Sequence, residues 1–169
     1  MGIVLSRKGL LALVGILVAA LVGAFASSMI SSGGFQLKNL LLESSTGESF
    51  MVFADEIIVD GLDLGIDELS GVPVIILQNA RVNITNQCVR KVEGGKTLEI
   101  NASRAIGSEV TMKVTRLTSD EADFVNLMLW DLPSFGQNAT RNVLTNVEIT
   151  TLYLFAESMT LYDMEINIS

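Results

Sequence analysis

The chain contains no histidine. Histidine is the usual base beside a serine or cysteine nucleophile and the commonest ligand of zinc and iron, so its absence removes most hydrolase and metalloenzyme templates. The Gly-x-Ser-x-Gly turn that carries the nucleophile of many esterases is absent as well. The sequence therefore predicts no enzymatic activity, no catalytic residue and no cofactor.

Cysteine and positive charge are also scarce. Cys88 is the only cysteine, so no disulfide can form within the chain, and we expect its side chain to be buried as a small hydrophobic group. The 11 lysines and arginines stand against 19 aspartates and glutamates, which gives a net charge of −8. Such a field repels phosphate backbones, so we expect no nucleic-acid partner.

The N-terminus carries a cationic pair, Arg7-Lys8, followed by an unbroken apolar run from Gly9 to Ala26. The run of roughly 18 residues is long for a signal peptide and at the lower limit for a transmembrane helix. Ala24-Phe25-Ala26 offers a signal peptidase site, whereas a retained segment would be one hydrophobic helix with a cytoplasmic N-terminus. We predict that residues 1–26 are a signal peptide or a transmembrane anchor, so that the remainder is secreted or membrane-anchored, outside the cytoplasm.

The exported part divides into a short spacer and one domain. Residues 27–34 include Ser31-Ser32-Gly33-Gly34, whose composition is typical of a flexible spacer. Residues 35–169 have the length of one ordinary domain with a continuous core. We therefore predict a single extracytoplasmic domain over these residues.

Internal repeats and alternating hydrophobicity predict the fold class. The apolar positions of Phe53 to Ile66 coincide with those of Phe155 to Ile168, and a weaker copy begins at Ala102. A second element, Leu-x-Asn-apolar-x-apolar, occurs at Leu37 to Leu42, Leu77 to Val82 and Leu144 to Ile149. Both elements alternate with a period of two, as half-buried strands do. Turns are expected at Gly47, Gly61, Gly71, Gly94 and Gly95.

These patterns predict an all-β domain, preceded by the single N-terminal hydrophobic helix. Spaced copies of two strand elements favour an elongated β-sheet assembly, jellyroll or solenoid-like, in which each unit completes its core on its neighbours. A closed sandwich is the alternative. The order of signals around Glu93-Gly94-Gly95-Lys96 resembles the units of elongated β-jellyroll proteins that carry lipopolysaccharide across a periplasm.

The exported part also resembles an uncharacterised family of secreted actinobacterial proteins, domain-of-unknown-function family 6230. The segments that carry this resemblance are Phe35-Gln36-Leu37, Phe50 to Gly61, Ala80 to Val89, Ala122-Asp123-Phe124 with Asn126, and the final repeat. The resemblance implies an N-terminal apolar segment followed by an all-β domain, and it implies no catalytic residue. The family pattern pairs the position of Cys88 with a cysteine near the C-terminus, which this chain lacks.

Two sets of side chains are candidate sites. Asp60, Asp63 and Asp67 alternate with glycines and are calcium candidates, although their spacing matches no EF-hand loop and a solvated strand face is the alternative. Four Asn-x-Ser/Thr sequons are candidates for glycosylation in a host with that pathway. Their asparagines are Asn83, Asn101, Asn138 and Asn167.

Two functions remain open. The apolar runs Val72 to Leu77 and Leu127 to Leu132 indicate either core strands buried on both faces or a groove for a lipid or other amphiphile. A final strand reaching Ser169 would present an edge for self-association, as in a structural cell-surface or pilin-like filament subunit. We expect a non-enzymatic cell-envelope protein that binds an apolar ligand or partner and contacts the membrane through its N-terminal segment.

Overall fold

The structure is a computed structural model, and it describes residues 30–31, 34–43, 49–69, 71–125, 128–130 and 136–169. The predicted signal or anchor segment, 1–26, lies outside these ranges. No helix among the described residues is long and apolar enough to span a membrane. The described strands, in chain order, are β1 (Ile30–Ser31), β2 (Gly34–Glu43), β3 (Phe50–Leu69), β4 (Val72–Glu93), β5 (Lys96–Thr118), β6 (Glu121–Val125), β7 (Met128–Trp130), β8 (Gly136–Tyr162) and β9 (Glu165–Ile168).

The prediction of an all-β domain is confirmed, because these strands form one antiparallel sheet. Turns at Gly71 and at Gly94-Gly95 join β3 to β4 and β4 to β5, as predicted. Gly61, also predicted as a turn, instead lies inside β3. Part of the predicted spacer belongs to the sheet, since Ile30 and Ser31 of β1 pair with the start of β2.

The sheet closes on itself through β8, whose 27 residues are long enough to pair with different strands along each edge. One edge of β8 pairs with β3 and then with β2, and the other pairs with β6, β7 and β5. Because β3 also pairs with β4 and β4 with β5, the four strands β8, β3, β4 and β5 form a closed ring. The sequence repeats are therefore neighbouring segments of one ring, and the described residues show no stack of separate units.

The interior of the ring follows a spacing that differs from simple alternation. Over most of each ring strand the buried side chains are separated alternately by two and by three residues, and the pattern breaks in β8 where Thr151 and Leu152 are both buried. The buried series in β3 is Val52, Ala54, Ile57, Val59 and Leu62, and the series in β4 is Leu77, Asn79, Val82, Ile84 and Gln87. Each three-residue step places two successive residues outside, so the strand turns a corner and still returns an apolar side chain to the interior.

One corner residue in each strand of the ring has a positive φ. Gly61, Asn86, Glu109 and Asn146 have φ values of 67°, 50°, 46° and 47°, one in each strand of the ring. Glycine adopts this region without strain, and asparagine tolerates it better than most residues. Asn146 is the asparagine of the repeat Leu144 to Ile149, so the motif marks a corner there. In Leu77 to Val82 the motif is misleading, because Asn79 is buried and the corner asparagine of β4 is Asn86.

Glu109 is the one charged residue among these four positive-φ residues, and we expect Glu109→Gly to stabilise the fold. A non-glycine residue in the left-handed region costs roughly 1–2 kcal/mol, and the flexibility of glycine in the unfolded chain removes part of that gain. The net rise in the free energy of unfolding should be about 0.5 kcal/mol, measured by urea denaturation. Thr111→Gly, two residues along β5 with an ordinary φ, should lower it by about 0.5–1 kcal/mol. A loss in both variants would contradict the corner assignment.

Candidate ligand-binding cavity

The ring encloses a cavity of about 340 Å³. Its wall is built by inward-facing side chains of β3, β4, β5 and β8, and all but four of the lining side chains are apolar. Cavities of roughly 300–1,000 Å³ with mostly apolar walls are the usual form of small-molecule sites in proteins. The interior of this sheet therefore has the size and the surface of a ligand-binding site.

The short strand β6 covers one side of the cavity. Ala122 and Phe124 of β6 line the wall, and β6 pairs with β8 from Glu121↔Thr145 to Val125↔Arg141. Beside this strand, the Asn146 amide donates to the Asp120 carboxylate at 2.8 Å. Pairing with β8 thus places the aromatic side chain of Phe124 in the cavity wall.

Four polar side chains line the cavity: Ser119, Asn79, Gln87 and Asn142. The Ser119 hydroxyl is occupied, because it lies 2.8 Å from the Thr145 carbonyl and accepts from the Thr145 N–H at 3.2 Å. The three amide side chains, unlike Ser119, have carbonyl oxygens without a hydrogen-bond partner. Asn79, Gln87 and Asn142 are only 8%, 6% and 3% exposed, and none of their side-chain carbonyl oxygens has a hydrogen-bond partner.

Unpaired buried amides are costly. A buried polar group without a partner costs about 1–3 kcal/mol, and most such groups in folded proteins are satisfied by protein or by ordered water. The remaining buried polar side chain among the described residues, Thr151, follows this rule, since its hydroxyl lies 2.9 Å from the Lys113 carbonyl and 2.8 Å from the Tyr153 carbonyl. The three unsatisfied oxygens therefore mark the cavity as a place where hydrogen-bonding atoms of a guest would be accommodated.

The amides are distributed along the cavity. Asn79 and Gln87 lie eight residues apart on β4, which is at most about 26 Å along a strand. Asn142 of β8 pairs with Val59 of β3, and Val59 pairs with Val82 of β4. Asn142 is therefore level with Val82, which is three residues from Asn79 on β4. Three residues correspond to about 10 Å. Asn79 and Asn142 thus form the closer pair, and Gln87 lies toward the other end.

Sequence reasoning missed these three residues, although a signal for them exists. Each occupies an interior position of the two-and-three spacing, where the neighbouring positions carry aliphatic side chains. Of the two apolar runs singled out from sequence, Val72 to Leu77 is only partly buried, and its last residue lines the cavity. In the other run the structure describes only the backbone of β7 and no side chain.

The calcium candidates do not converge. Asp63 is opposite Gln78 and Asn138, and Asp60 is opposite the two arginines Arg81 and Arg141. Among the described residues no three potential metal ligands come together. All three aspartates are exposed on the outer face, as the alternative interpretation expects.

Asp67, the third calcium candidate, is instead part of an ion pair. Lys113 Nζ lies 3.0 Å from its carboxylate. The pKa of Asp67 is lowered, first by a hydrogen bond from the Glu68 backbone N–H and then by Lys113. A lowered pKa stabilises the fold above the ordinary pKa of the carboxyl and loses that effect as the pH falls through the folded-state value. Because this carboxylate is exposed to solvent, the contribution is small.

The sequons all lie in strands. Asn83 is half-buried, and its Oδ1 accepts a hydrogen bond from Arg104 Nε at 2.9 Å. Asn101 is half-buried in β5, Asn167 is exposed in β9, and only the backbone of Asn138 is described. Of the described side chains, Asn167 is the most accessible to a glycosyltransferase, and modification of any of the four stays a prediction.

Cys88 is half-buried, less than the sequence predicts for a free cysteine. Partial burial raises the pKa of its thiol, and the nearby Glu99 carboxylate raises it further. Because the thiolate is the reactive form, these surroundings suppress nucleophilic chemistry at neutral pH. The position of Cys88 outside the cavity lining also separates it from the candidate site.

No protein-family model, curated protein or solved structure matches the chain. The resemblance to family 6230 stays a prediction.

Proposed function

We propose that the chain is a non-enzymatic, exported cell-envelope protein that binds a lipid or another apolar molecule inside its closed β ring. The observation that carries this proposal is the cavity of about 340 Å³ with an almost entirely apolar wall. Well-packed interiors leave few voids larger than a water molecule, so a space of this size in a small domain calls for an occupant. The apolar wall sets the class of that occupant.

The composition of the wall supports binding without chemistry. Among the described residues that line the cavity, none has an ionisable side chain, and the single hydroxyl, of Ser119, is hydrogen-bonded to Thr145. General acid–base and nucleophilic catalysis both require a titratable or activated group within reach of the substrate. This wall supplies van der Waals contact and a few amide hydrogen bonds, which are the means of a binding protein.

The N-terminal segment supports an envelope location for this activity. Arg7-Lys8 and the following apolar run carry the features of an export signal or anchor. A retained segment would hold the cavity beside the membrane that supplies apolar ligands, and a cleaved one would release a soluble carrier. Both arrangements suit a protein that holds a water-insoluble molecule.

The proposal predicts that the full chain binds the uncharged dye N-phenyl-1-naphthylamine inside the ring. Leu144→Phe adds volume at a side chain that lines the cavity and should reduce dye fluorescence by at least about threefold while the fold is retained. Leu161→Phe, the same change at a buried residue away from the cavity wall, should lower stability by about 1–3 kcal/mol through overpacking and leave dye binding per folded molecule unchanged. Equal dye binding by all three proteins would contradict a site inside the ring.

A second candidate function, self-association into a cell-surface assembly, is supported by β9. This strand pairs with Leu98 to Asn101 of β5, and Ile166 and Ile168 on it are 41% and 57% exposed. An exposed apolar edge strand is a template for pairing with another chain. Strand addition at this edge would build the cell-surface assembly. Sedimentation that stays monomeric at every concentration would exclude it, and Ile168→Lys should weaken it.

A further inference from the structure

We infer that the ligand of the cavity is an uncharged, hydroxyl-bearing lipid, of the long-chain alcohol class, whose hydroxyl is recognised by one of the three buried amides Asn142, Asn79 and Gln87. This inference rests on the proposed function and adds the chemistry of the ligand to it. Its basis is the coincidence of an apolar cavity with three side chains that are more than nine-tenths buried, line the cavity and leave their carbonyl oxygens unpaired.

The wall excludes a charged ligand. None of the described lining residues carries a cation that would neutralise a carboxylate or phosphate, and none carries an anion for an ammonium group. Transferring an unpaired charge into such surroundings is far more costly than transferring a hydroxyl group. Unpaired carbonyl oxygens would in addition repel a carboxylate. A fatty acid anion or a phospholipid headgroup therefore does not fit the interior.

The unpaired oxygens specify a hydrogen-bond donor. Each amide oxygen accepts, and the amino group of the same side chain donates, so one amide satisfies a hydroxyl in both of its roles. Asn142 and Asn79 are offset by about 10 Å along the strands, so one hydroxyl bonds a single amide, and we assign it to Asn142, the least exposed of the three. A pure hydrocarbon would fill the apolar space and leave all three oxygens unsatisfied.

The volume sets the size of the apolar part. An apolar cavity of about 150 Å³ is known to bind benzene, which has six carbon atoms. By proportion, a cavity of about 340 Å³ holds a molecule of about a dozen non-hydrogen atoms. Dodecan-1-ol has this size, and dodecane and dodecanoate are probes of nearly the same length that differ only at the polar end.

The test is displacement of N-phenyl-1-naphthylamine from the full chain by these three probes. We expect dodecan-1-ol to bind at least about fivefold more tightly than dodecane, the effect of one net hydrogen bond, and dodecanoate to bind most weakly at pH 8. Asn142→Leu should reduce the alcohol-to-alkane ratio to about one while dodecane binding is retained. Leu161→Met, a change of similar volume on the same strand at a buried residue outside the cavity wall, should leave the ratio unchanged.

The outcomes separate this inference from the proposed function. If no probe and no dye binds, the cavity is not a ligand site, and both fail. If dodecane and dodecan-1-ol bind equally in the unmodified chain, the apolar site stands but the amides are satisfied by water, and the inference is overturned. Preference for dodecanoate would also overturn it, since the wall would then accept a carboxylate.

Discussion

Gly107→Val should lower the free energy of unfolding by about 2 kcal/mol, measured by urea or thermal denaturation. Gly107 is buried in β5, and a Cβ atom placed there would lie 2.8 Å from Val110 Cγ2 and 2.9 Å from Val82 Cγ1. Both neighbours are β-branched and stiff about χ1, so they cannot swing aside without leaving their preferred rotamer. The glycine is therefore required by the close approach of Val110 on its own strand and of Val82, its register partner on the neighbouring strand β4.

The same variant tests the link between the core and the cavity. Val82 and Val110 both line the cavity, so the empty space is the direction in which the clash is relieved. We therefore expect Gly107→Val to reduce dye binding as well as stability.

Gly65→Val is the matched control, because a Cβ at Gly65 meets nothing within 4 Å and that residue lies in the strand β3. Valine favours strand geometry, so this change should be neutral or stabilising by up to about 1 kcal/mol. Equal losses in the two variants would show that the cost arises from the backbone and not from packing.

The strands and their turns were within reach of the sequence. Alternation such as Val147 and Ile149 against Glu148 predicts half-buried strands, and the structure has Val147 and Ile149 buried. The paired glycines at 94 and 95 predict a tight hairpin, and they form one with positive φ at both residues. These features are local, so a single stretch of sequence contains all the information needed.

The ring closure and the corners were not within reach. Which strands pair with the two edges of β8 depends on residues far apart in the chain, and no local pattern encodes that choice. Each corner shifts the alternation by one residue. Ala54 and Ile57 are both buried although they are three residues apart, so a period of two predicts that they lie on opposite faces. The same alternation predicts that Ile166 and Ile168 face a core, whereas both are exposed on the edge strand β9.

The candidate site shows a different limit. Asp60 and Asp63 are predicted as calcium ligands because they are acidic residues near glycines and carboxylates are common calcium ligands. In the structure the unsatisfied polar groups are instead buried amide side chains. Residue type alone does not distinguish these amides from the exposed asparagines at the corners. Asn79 and Asn86 lie on the same strand, and only the spacing of buried positions shows that the first faces the cavity and the second faces solvent.

Asn142→Leu should raise the free energy of unfolding of the ligand-free protein by about 1–3 kcal/mol. The substitution removes a carbonyl oxygen that is buried without a partner and adds apolar surface next to an empty, apolar space. Most substitutions in a core are destabilising, so a gain of this size at a residue only 3% exposed is a distinctive result. Urea denaturation of delipidated protein measures it.

Thr151→Val is the matched control, since it also replaces a buried polar group by an apolar one of similar shape. The Thr151 hydroxyl lies within hydrogen-bond distance of the Lys113 carbonyl on β5 and of the Tyr153 carbonyl on its own strand and donates its one proton to either, so its loss should lower the free energy of unfolding by about 1–2 kcal/mol. Two buried polar side chains in one sheet are thus expected to respond with opposite signs. A loss of stability in both would mean that the Asn142 amide is satisfied in the folded chain without a ligand.

A stability gain at Asn142 would bear directly on why the residue is there. Replacement by leucine would then be compatible with the fold and improve its stability, and packing would not explain why the amide is present. Sites that break a local rule of folding are where function is expected, because binding energy offsets the cost when the ligand is present. Dodecan-1-ol should accordingly stabilise the unmodified chain more than Asn142→Leu, and at saturation the difference between the two proteins should shrink. A difference that does not change with added alcohol would place the role of the amide outside ligand binding.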